Sequence, residues 1–350
     1  MTAAPIATPA TALAAWGLEA APASPVEAGL INRTFVVSGP AARLVLQWVN
    51  PIFGPEVNED IEAVTAHLAA RGLLTPRLVR TRAGALFAAD PARGHWRLMT
   101  FVDGVTHHKA KDPALCESAG LLVGRFHRAV QDLTREFVHR RPHVHDTARH
   151  LAHLAEAVEA GGGHRHHAAV APVAREILAR GADLPAVDGL PRRVVHGDLK
   201  LSNLLFSPAG EALALIDLDT LARMSLVLEL GDAWRSWCNP AGEDDPEASR
   251  LDLGLLEAAV RGYARGAAGL LEAAEVAALP RAVELIALEL SARFCADALE
   301  ESYFGWDRSR FPSASEHNLL RARGQLALAR SAAAARPELE RIVERVFRDA

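Results

Sequence analysis

A chain of 350 residues is too long for one ordinary hydrophobic core and points to one large or two moderate domains. Half of its residues are hydrophobic and 23% are charged, as in a globular protein with a sizeable core, and a net charge of −5 provides no basic footprint for nucleic acid. Three scattered cysteines (Cys116, Cys238, Cys295) argue against a disulfide framework and suit a reducing cytoplasm, and no stretch approaches the roughly 20 apolar residues of a membrane span.

The opening "MTAAPIATPATALAAWGL" lacks the basic n-region and apolar core of a signal peptide, and residues 1–20 are expected to be a loose tail. From about Ile31 to Val102 the pattern is short-period. "TFVV", "RLVLQWV" and "HWRLMTFV" are rich in β-branched and aromatic residues and bounded by Gly, Pro or Asn, as strands are. Between them "PEVNEDIEAVTAHLAARG" has helical periodicity, with Ile61, Val64 and Leu68 on one face and Gly72 as a stop. From Pro113 the chain turns mostly helical, interrupted by one β-rich segment from Arg192 to Asp219. The division expected is a small β-rich lobe over residues 1–102 and a larger helical lobe over 103–350, an α+β arrangement without internal repeats.

The interruption contains "VVHGDLKLSNLLF", residues Val194–Phe206, which reads as two buried strands around a polar tip. Asn203 follows Asp198 by five positions, and "LALIDLDT" then supplies Asp217 after another apolar run. Phosphoryl transfer needs a carboxylate to orient the accepting hydroxyl and take its proton. It also needs oxygen ligands for Mg²⁺ and a cation near the γ-phosphate. Asp198, Asn203 with Asp217, and Lys200 offer that set. Any one of these residues alone reads equally as a turn former; the joint order H-x-D-x-x-x-x-N and a later Asp matches the protein-kinase catalytic loop and its metal-binding Asp.

These segments resemble the aminoglycoside phosphotransferase and choline kinase-like small-molecule kinases, whose loop begins HGD where protein kinases have HRD. "GLINRTFVV", "LVLQWVNPIFGPEV", "IEAVTAHL", "HDTARHL", "IDLDT", "LGDAWR" and "EHNLLRARGQLAL", between about residues 29 and 330, are similar to the N-acetylhexosamine 1-kinases of that superfamily. The resemblance implies a two-lobed, protein-kinase-like fold that uses ATP and Mg²⁺. Asp198 would be the catalytic base, with Lys200 beside it, and Asn203 and Asp217 the metal ligands. "GLINRTFVV", with Asn32, would cover the nucleotide, and the backbone of Thr100 to Val102 would form a hinge against adenine. Arg293 and Tyr303, with Asp219, would face the acceptor.

One departure is visible. The three lysines (Lys109, Lys111, Lys200) all follow the proposed small lobe, so no strand lysine can hold the α/β-phosphates. Gln47 occupies that position, Arg33 or Arg43 is the expected compensation, and Glu62 would be a helix glutamate with no lysine to pair. Arg293 and Asp297, at i and i+4, also read as a plain surface ion pair. "GGGHRHH" (161–167) reads as a solvated loop and Asp146 or Thr147 as a helix N-cap. "GEDDPE" (242–247) reads as a loop whose Pro246 starts a helix.

The function expected is transfer of the ATP γ-phosphate to a small-molecule hydroxyl, preferentially the anomeric hydroxyl of an N-acetylhexosamine-like sugar. The alternatives are an aminoglycoside or other small-alcohol kinase, or a catalytically silent nucleotide-binding scaffold. The partner expected is a small sugar or amino sugar, with no nucleic acid or membrane, on a cytoplasmic monomer or homodimer.

Overall fold

The β-rich first hundred residues form one antiparallel sheet whose inner strands carry alternating apolar side chains on one face. The computed structural model describes residues 7–26, 31–90, 94–110, 112–140 and 142–348; Gly29, Leu30 and Lys111 lie outside the described residues. The first elements are helix α1 (Pro9–Leu13), strands β1 (Ala23–Val26), β2 (Arg33–Ser38) and β3 (Arg43–Val49), helix α2 (Val57–Ala70), and strands β4 (Ala88–Ala89) and β5 (His95–Thr100). The sheet order is β1-β2-β3-β5-β4.

Successive strand residues point to opposite faces. Leu46, Trp48, Trp96 and Leu98 therefore share one face, which α1 and the following turn cover with Ala12, Leu13 and Trp16. Trp16 Nε1 donates to the Val79 carbonyl at 2.7 Å. The expectation of a loose tail is corrected here: from residue 7 onward the N-terminal segment is part of the small lobe's core. On the opposite face the register aligns Thr34, Gln47 and Arg97 in a polar row across three strands. Helix α2 buries Ile61, Val64 and Leu68 and ends at Gly72, whose φ of 74° suits glycine.

The larger lobe contains α3 (Pro113–Ala129), α4 (Thr147–Ala160), α5 (His167–Gly181), β6 (Arg192–Val195), β7 (Leu204–Phe206), β8 (Ala212–Leu215) and β9 (Ala222–Ser225). It continues with α6 (Leu226–Trp237), α7 (Leu253–Gly266), α8 (Ala273–Ala278), α9 (Ala282–Glu300), α10 (Ala314–Ala334) and α11 (Arg336–Arg348). Helix α9 is buried almost all round, as befits a central helix, and packs against α4, α5, α6 and α10. Helices α3 and α7 approach backbone to backbone: a Cβ on Gly262 would lie 1.9 Å from the Glu117 carbonyl oxygen.

Several local expectations change. The strands flanking the polar tip do not pair: β6 pairs with β9, and β7 with β8. The quoted stretch is thus a connection between two ribbons, not a hairpin. Pro246 starts no helix; α7 begins at Leu253, capped by Asp252. The loop before it is pinned, Glu243 to Arg235 and Asp244 to Arg310. Gly161–Gly163 forms a 3₁₀ turn, with His164 against Glu301, in place of a solvated loop. Asp146 caps α4 by accepting the Arg149 N–H.

Candidate active site

The connection 196–203 is fixed from several sides. Gly197 has φ 85°, and a Cβ there would lie 2.3 Å from the Thr220 carbonyl oxygen, so the position needs glycine. Buried Glu229 on α6 accepts the backbone N–H groups of His196 at 2.8 Å and Gly197 at 2.9 Å. His196 donates from Nε2 to the Ile216 carbonyl, and its Nδ1 accepts the Asp198 N–H. Trp237 Nε1 donates to the Leu199 carbonyl at 2.6 Å.

These contacts present Asp198 beside Asn203. Asn203 Nδ2 donates to the Asp198 carbonyl at 2.8 Å and to its Oδ2 at 3.0 Å, and Lys200 Nζ donates to the same Oδ2 at 2.8 Å. Burial opposes the charge on Lys200. Even so, Asp198, with Asp217 and Asp232 farther off, holds the ammonium above its usual range. Its nitrogen is thus committed, while the Asn203 amide oxygen accepts no hydrogen bond among the described residues. The Asn203 carbonyl accepts the Ile216 N–H at 2.9 Å, which brings the end of β8, and so Asp217, to the same place.

Asp217 adopts a left-handed conformation (φ 62°, ψ 56°), uncommon for a non-glycine residue and concentrated at functional sites. Surrounding protein, with Asp219 and Asp198 nearby, pushes its carboxyl up, while Lys200 and Arg97 act against the shift. Crowded carboxylates beside an amide oxygen without a protein donor would suit a hard divalent cation. No cluster of three or more His, Cys, Asp or Glu among the described residues could hold a metal on its own, so phosphate and water oxygens would complete the shell.

Asp219 stands apart from this set. It is buried and accepts both terminal nitrogens of Arg97, with Nη2 at 2.9 Å from Oδ2, and the Asn32 amide at 2.8 Å. Its expected contact with the acceptor is therefore corrected: the carboxylate is buried and committed to Arg97 and Asn32 inside the protein. Asn32 is likewise committed, since its other amide atom accepts the Asn50 N–H. Gln47 accepts Arg97 Nε and Nη2 and donates to Thr34, so it is a partner of Arg97 and is not a free phosphate donor. Of the two expected substitutes for the strand lysine, Arg33 is on the outer face, while Arg43 shares the face of Gln47 at the far end of its strand and is engaged elsewhere. Arg33 lies over Trp48, and Arg43 pairs with Asp103 over Phe101. Glu62 pairs with Arg80 at 3.3 Å, away from Gln47.

At the lobe junction the Thr100 N–H donates to the Arg77 carbonyl, whereas Val102 makes no backbone hydrogen bond among the described residues. Thr100 Oγ1 also accepts the Arg77 N–H. Of the expected hinge, Thr100 to Val102, Thr100 therefore has its N–H committed, while Phe101, like Val102, makes no backbone hydrogen bond among the described residues.

On the helical side, Arg293 on α9 lies 5.7 Å from the Tyr303 ring and 5.5 Å from that of Phe304. It forms no ion pair with Asp297 among the described residues. Asp297 instead accepts the N–H groups of Ser302, Tyr303 and Phe304 and the Asn318 amide, pinning the aromatic loop at the helix end. Tyr303 is 65% exposed. Nearby, His145 pairs with Glu289 at 2.8 Å; burial opposes protonation of this imidazole, but Glu289 raises it above its usual range. Burial would also raise Asp232, yet Arg235, then His145 and Arg293, hold it below the usual carboxylate range.

Asp198, Lys200, Asn203 and Asp217 thus meet in one place, while Asn32, Gln47 and Asp219 form a second group around Arg97. Arg97, Glu229, Asp232 and His145 were not anticipated as site residues. Arg97 left a sequence signal as a charged residue inside the apolar strand "HWRLMTFV", and His145 and Asp232 lie in the family-like segments "HDTARHL" and "LGDAWR".

An antiparallel sheet joined to a helical lobe at an Asp-Asn-Asp constellation defines a two-lobed, kinase-like α+β fold. Residues 22–278 match the phosphotransferase enzyme family (APH), and the chain belongs to that family. Over 220 residues it is 31% identical to a homoserine kinase of Methylobacterium radiotolerans, covering 61% of either chain. A homoserine kinase of Bradyrhizobium sp. is 28% identical over the same length, 61% of this chain and 60% of the relative. The match thus spans about three fifths of the length of these relatives. Among solved structures, an aminoglycoside phosphotransferase from Alicyclobacillus acidocaldarius aligns with TM-score 0.65 at 16% identity, covering 97% of this chain and 98% of that one. A microcompartment-associated aminopropanol kinase gives 0.62 at 20% identity over 93% and 97%. Amicoumacin kinase in complex with AMP-PNP and Ca²⁺ gives 0.60 at 14% identity over 87% of each chain. At these identities the structures share the fold.

Proposed function

We infer that this protein transfers the γ-phosphate of ATP to a hydroxyl of a small molecule, using Mg²⁺ held by Asn203 and Asp217. The observation that carries this reading is the placement of Asp198, with Oδ2 occupied by Lys200 and Asn203 and Oδ1 left without a partner among the described residues. Oδ1 can accept the hydrogen bond of the incoming hydroxyl and take its proton as the oxygen attacks phosphorus. Lys200, charged and half-exposed, can meet the negative charge gathering on the transferred group. Bound Mg²⁺ would supply further charge neutralisation across the phosphates. Val102 offers backbone groups to a base at the hinge.

The acceptor is argued from Arg293. A guanidinium that forms no ion pair among the described residues, beside Tyr303 and Phe304, disfavours purely cationic acceptors such as choline or an aminoglycoside. It suits the hydroxyls and N-acetyl carbonyl of a sugar, with an aromatic face for the ring C–H groups. The homoserine kinase relatives favour a second reading, a hydroxy amino acid whose carboxylate would meet the same guanidinium. The complete Asp198, Asn203 and Asp217 set speaks against a silent scaffold. The cytoplasmic setting rests on three free, buried cysteines and on the absence, among the described residues, of any helix long and apolar enough to cross a membrane.

The test is Mg²⁺-dependent ADP release with N-acetylhexosamines, L-homoserine, choline and an aminoglycoside as acceptors. Turnover with an N-acetylhexosamine or homoserine is expected. Turnover with the cationic acceptors alone would overturn the Arg293 argument. Tight nucleotide binding without turnover on any acceptor would leave the scaffold reading standing.

A further inference from the structure

Kinases commonly clamp their lobes to the nucleotide through a strand lysine paired with a helix glutamate. Here neither partner is available: Gln47 stands on the strand, and Glu62 turns toward Arg80. We propose that the Arg97–Asp219 pair replaces that clamp, with Arg97 acting as a positioning residue for the metal-binding Asp217. The inference rests on the phosphotransferase reading above and adds a role that neither the strand position nor the HGD motif contains.

The geometry carries it. Arg97 projects from β5 into the polar row facing the larger lobe, one strand over from the usual lysine position. Its fork meets both oxygens of Asp219, and Nε and Nη2 meet Gln47, whose amide is held in turn by Thr34. The Arg97 and Asp219 side chains are each only 1% exposed, so the pair is a desolvated, two-pronged ion pair of fixed geometry. Four of the five guanidinium N–H groups are committed, which leaves Arg97 poorly placed to grip phosphate itself.

Asp219 belongs to the 3₁₀ turn Leu218–Thr220 that follows Asp217 directly. The left-handed backbone at Asp217 persists only if both flanks are held. On one flank Ile216 is bonded through its N–H to Asn203 and through its carbonyl to His196. On the other flank the anchors are Thr220, bonded to the His196 carbonyl, and Asp219, gripped from the small lobe by Arg97 and Asn32. The small lobe thereby grips the metal loop through an ion pair from β5, beside the packing of helix α2 against the same turn. Its charge also offsets that of Asp219, which would otherwise add to the carboxylate crowding around the cation.

The experiment is calorimetric titration of the full chain with AMP-PNP, with EDTA and at stepped Mg²⁺ concentrations. Wild type is compared with R97K and with R97M/D219N, which removes both charges and leaves no buried ion unpaired. Outer-shell partners of metal ligands typically contribute 10- to 100-fold to metal affinity. The half-saturating Mg²⁺ concentration is therefore expected to rise about 10- to 100-fold in the double variant, and less in R97K, which keeps the charge but loses the fork. AMP-PNP affinity in EDTA is expected to stay within twofold of wild type. A double variant that melts near the wild-type temperature and keeps its Mg²⁺ half-saturation would overturn the proposal. So would an equal loss of affinity with and without metal, which would make Arg97 a phosphate contact. R97K decides the question if the double variant does not fold. Wild-type protein that binds no nucleotide at any Mg²⁺ concentration overturns the phosphotransferase reading and this inference together; a wild type that binds beside unshifted variants overturns the inference alone.

Discussion

Asp198 keeps one carboxylate oxygen without a partner among the described residues because Lys200 and Asn203 occupy the other, and the proposed general base would use that oxygen. Asp198→Asn should therefore preserve the fold and nucleotide affinity while lowering kcat by about 10²- to 10⁴-fold, the range for loss of a general base. Steady-state kinetics within a few-fold of wild type would remove Asp198 from that role. The two proposed metal ligands should separate in a Mg²⁺ titration. Asp217→Ala deletes a charged ligand and should abolish metal-dependent nucleotide binding, whereas Asn203→Ala, which deletes a neutral one, should only raise the metal requirement. Identical titration curves for wild type and both variants would place the cation elsewhere. Under the proposed acceptor contact, Arg293→Ala would leave acceptor groups without a charged donor and should cost roughly 1.5–3 kcal/mol, or about 10- to 150-fold in kcat/KM for the acceptor, with KM for ATP nearly unchanged. Since Arg293 forms no ion pair with Asp297, a fall in melting temperature without any change in acceptor kinetics would assign it to packing.

At the level of elements, the join between sheet and helix α2 has a pH signature. His95 on β5 is buried and its Nε2 accepts the Asn58 amide at 2.8 Å. Burial, and then the Arg97 charge, hold this imidazole down at about 4. An unfolded imidazole titrates near 6.5, so below that pH the unfolded chain takes up a proton that the folded chain refuses. The contribution is complete above about pH 6.5 and is lost as the pH falls toward 4, amounting to up to about 3 kcal/mol. His95→Gln can retain an acceptor for Asn58 and should flatten the fall in urea-unfolding free energy between pH 7 and pH 5. Parallel curves for variant and wild type would show that His95 does not titrate in this way. The same sheet shows what local sequence can convey. Strands β2, β3 and β5 announce themselves through β-branched and aromatic alternation, while β1 (Ala-Ser-Pro-Val) and β4 (Ala-Ala) have no such signal and exist through pairing at the sheet edges. Likewise β6 and β7 look like one hairpin locally; their true partners, β9 and β8, are set by the tertiary fold.

Across the whole molecule, the same division separates what was legible from what was not. Asp198, Asn203 and Asp217 are legible because their spacing is local and their chemistry is distinctive. Arg97 and Asp219, 122 positions apart, and Glu229 beneath the HGD turn become visible only when the lobes are assembled. The N-terminal segment was misread for a related reason: its alanines and proline suggest a tail, yet Trp16 closes the outer face of the small lobe. Trp16→Ala should destabilise the protein by roughly 3–5 kcal/mol, the range for large aromatics in a core; a urea midpoint close to wild type would restore the tail to the periphery. The nesting of the two ribbons also bears on the order of assembly. Leu204 pairs with nearby Leu215 inside the longer span that joins Val195 to Ala222, and Asp198 and Asp217 sit at the two seams between them. Closing the shorter loop costs less chain entropy, so the inner ribbon is expected to form first and the outer to seal around it. The carboxylates then meet only at the second closure. In hydrogen exchange pulsed during refolding, the amides of Leu204 and Leu215 should gain protection before those of Val195 and Ala222, and simultaneous protection would argue for a single concerted closure.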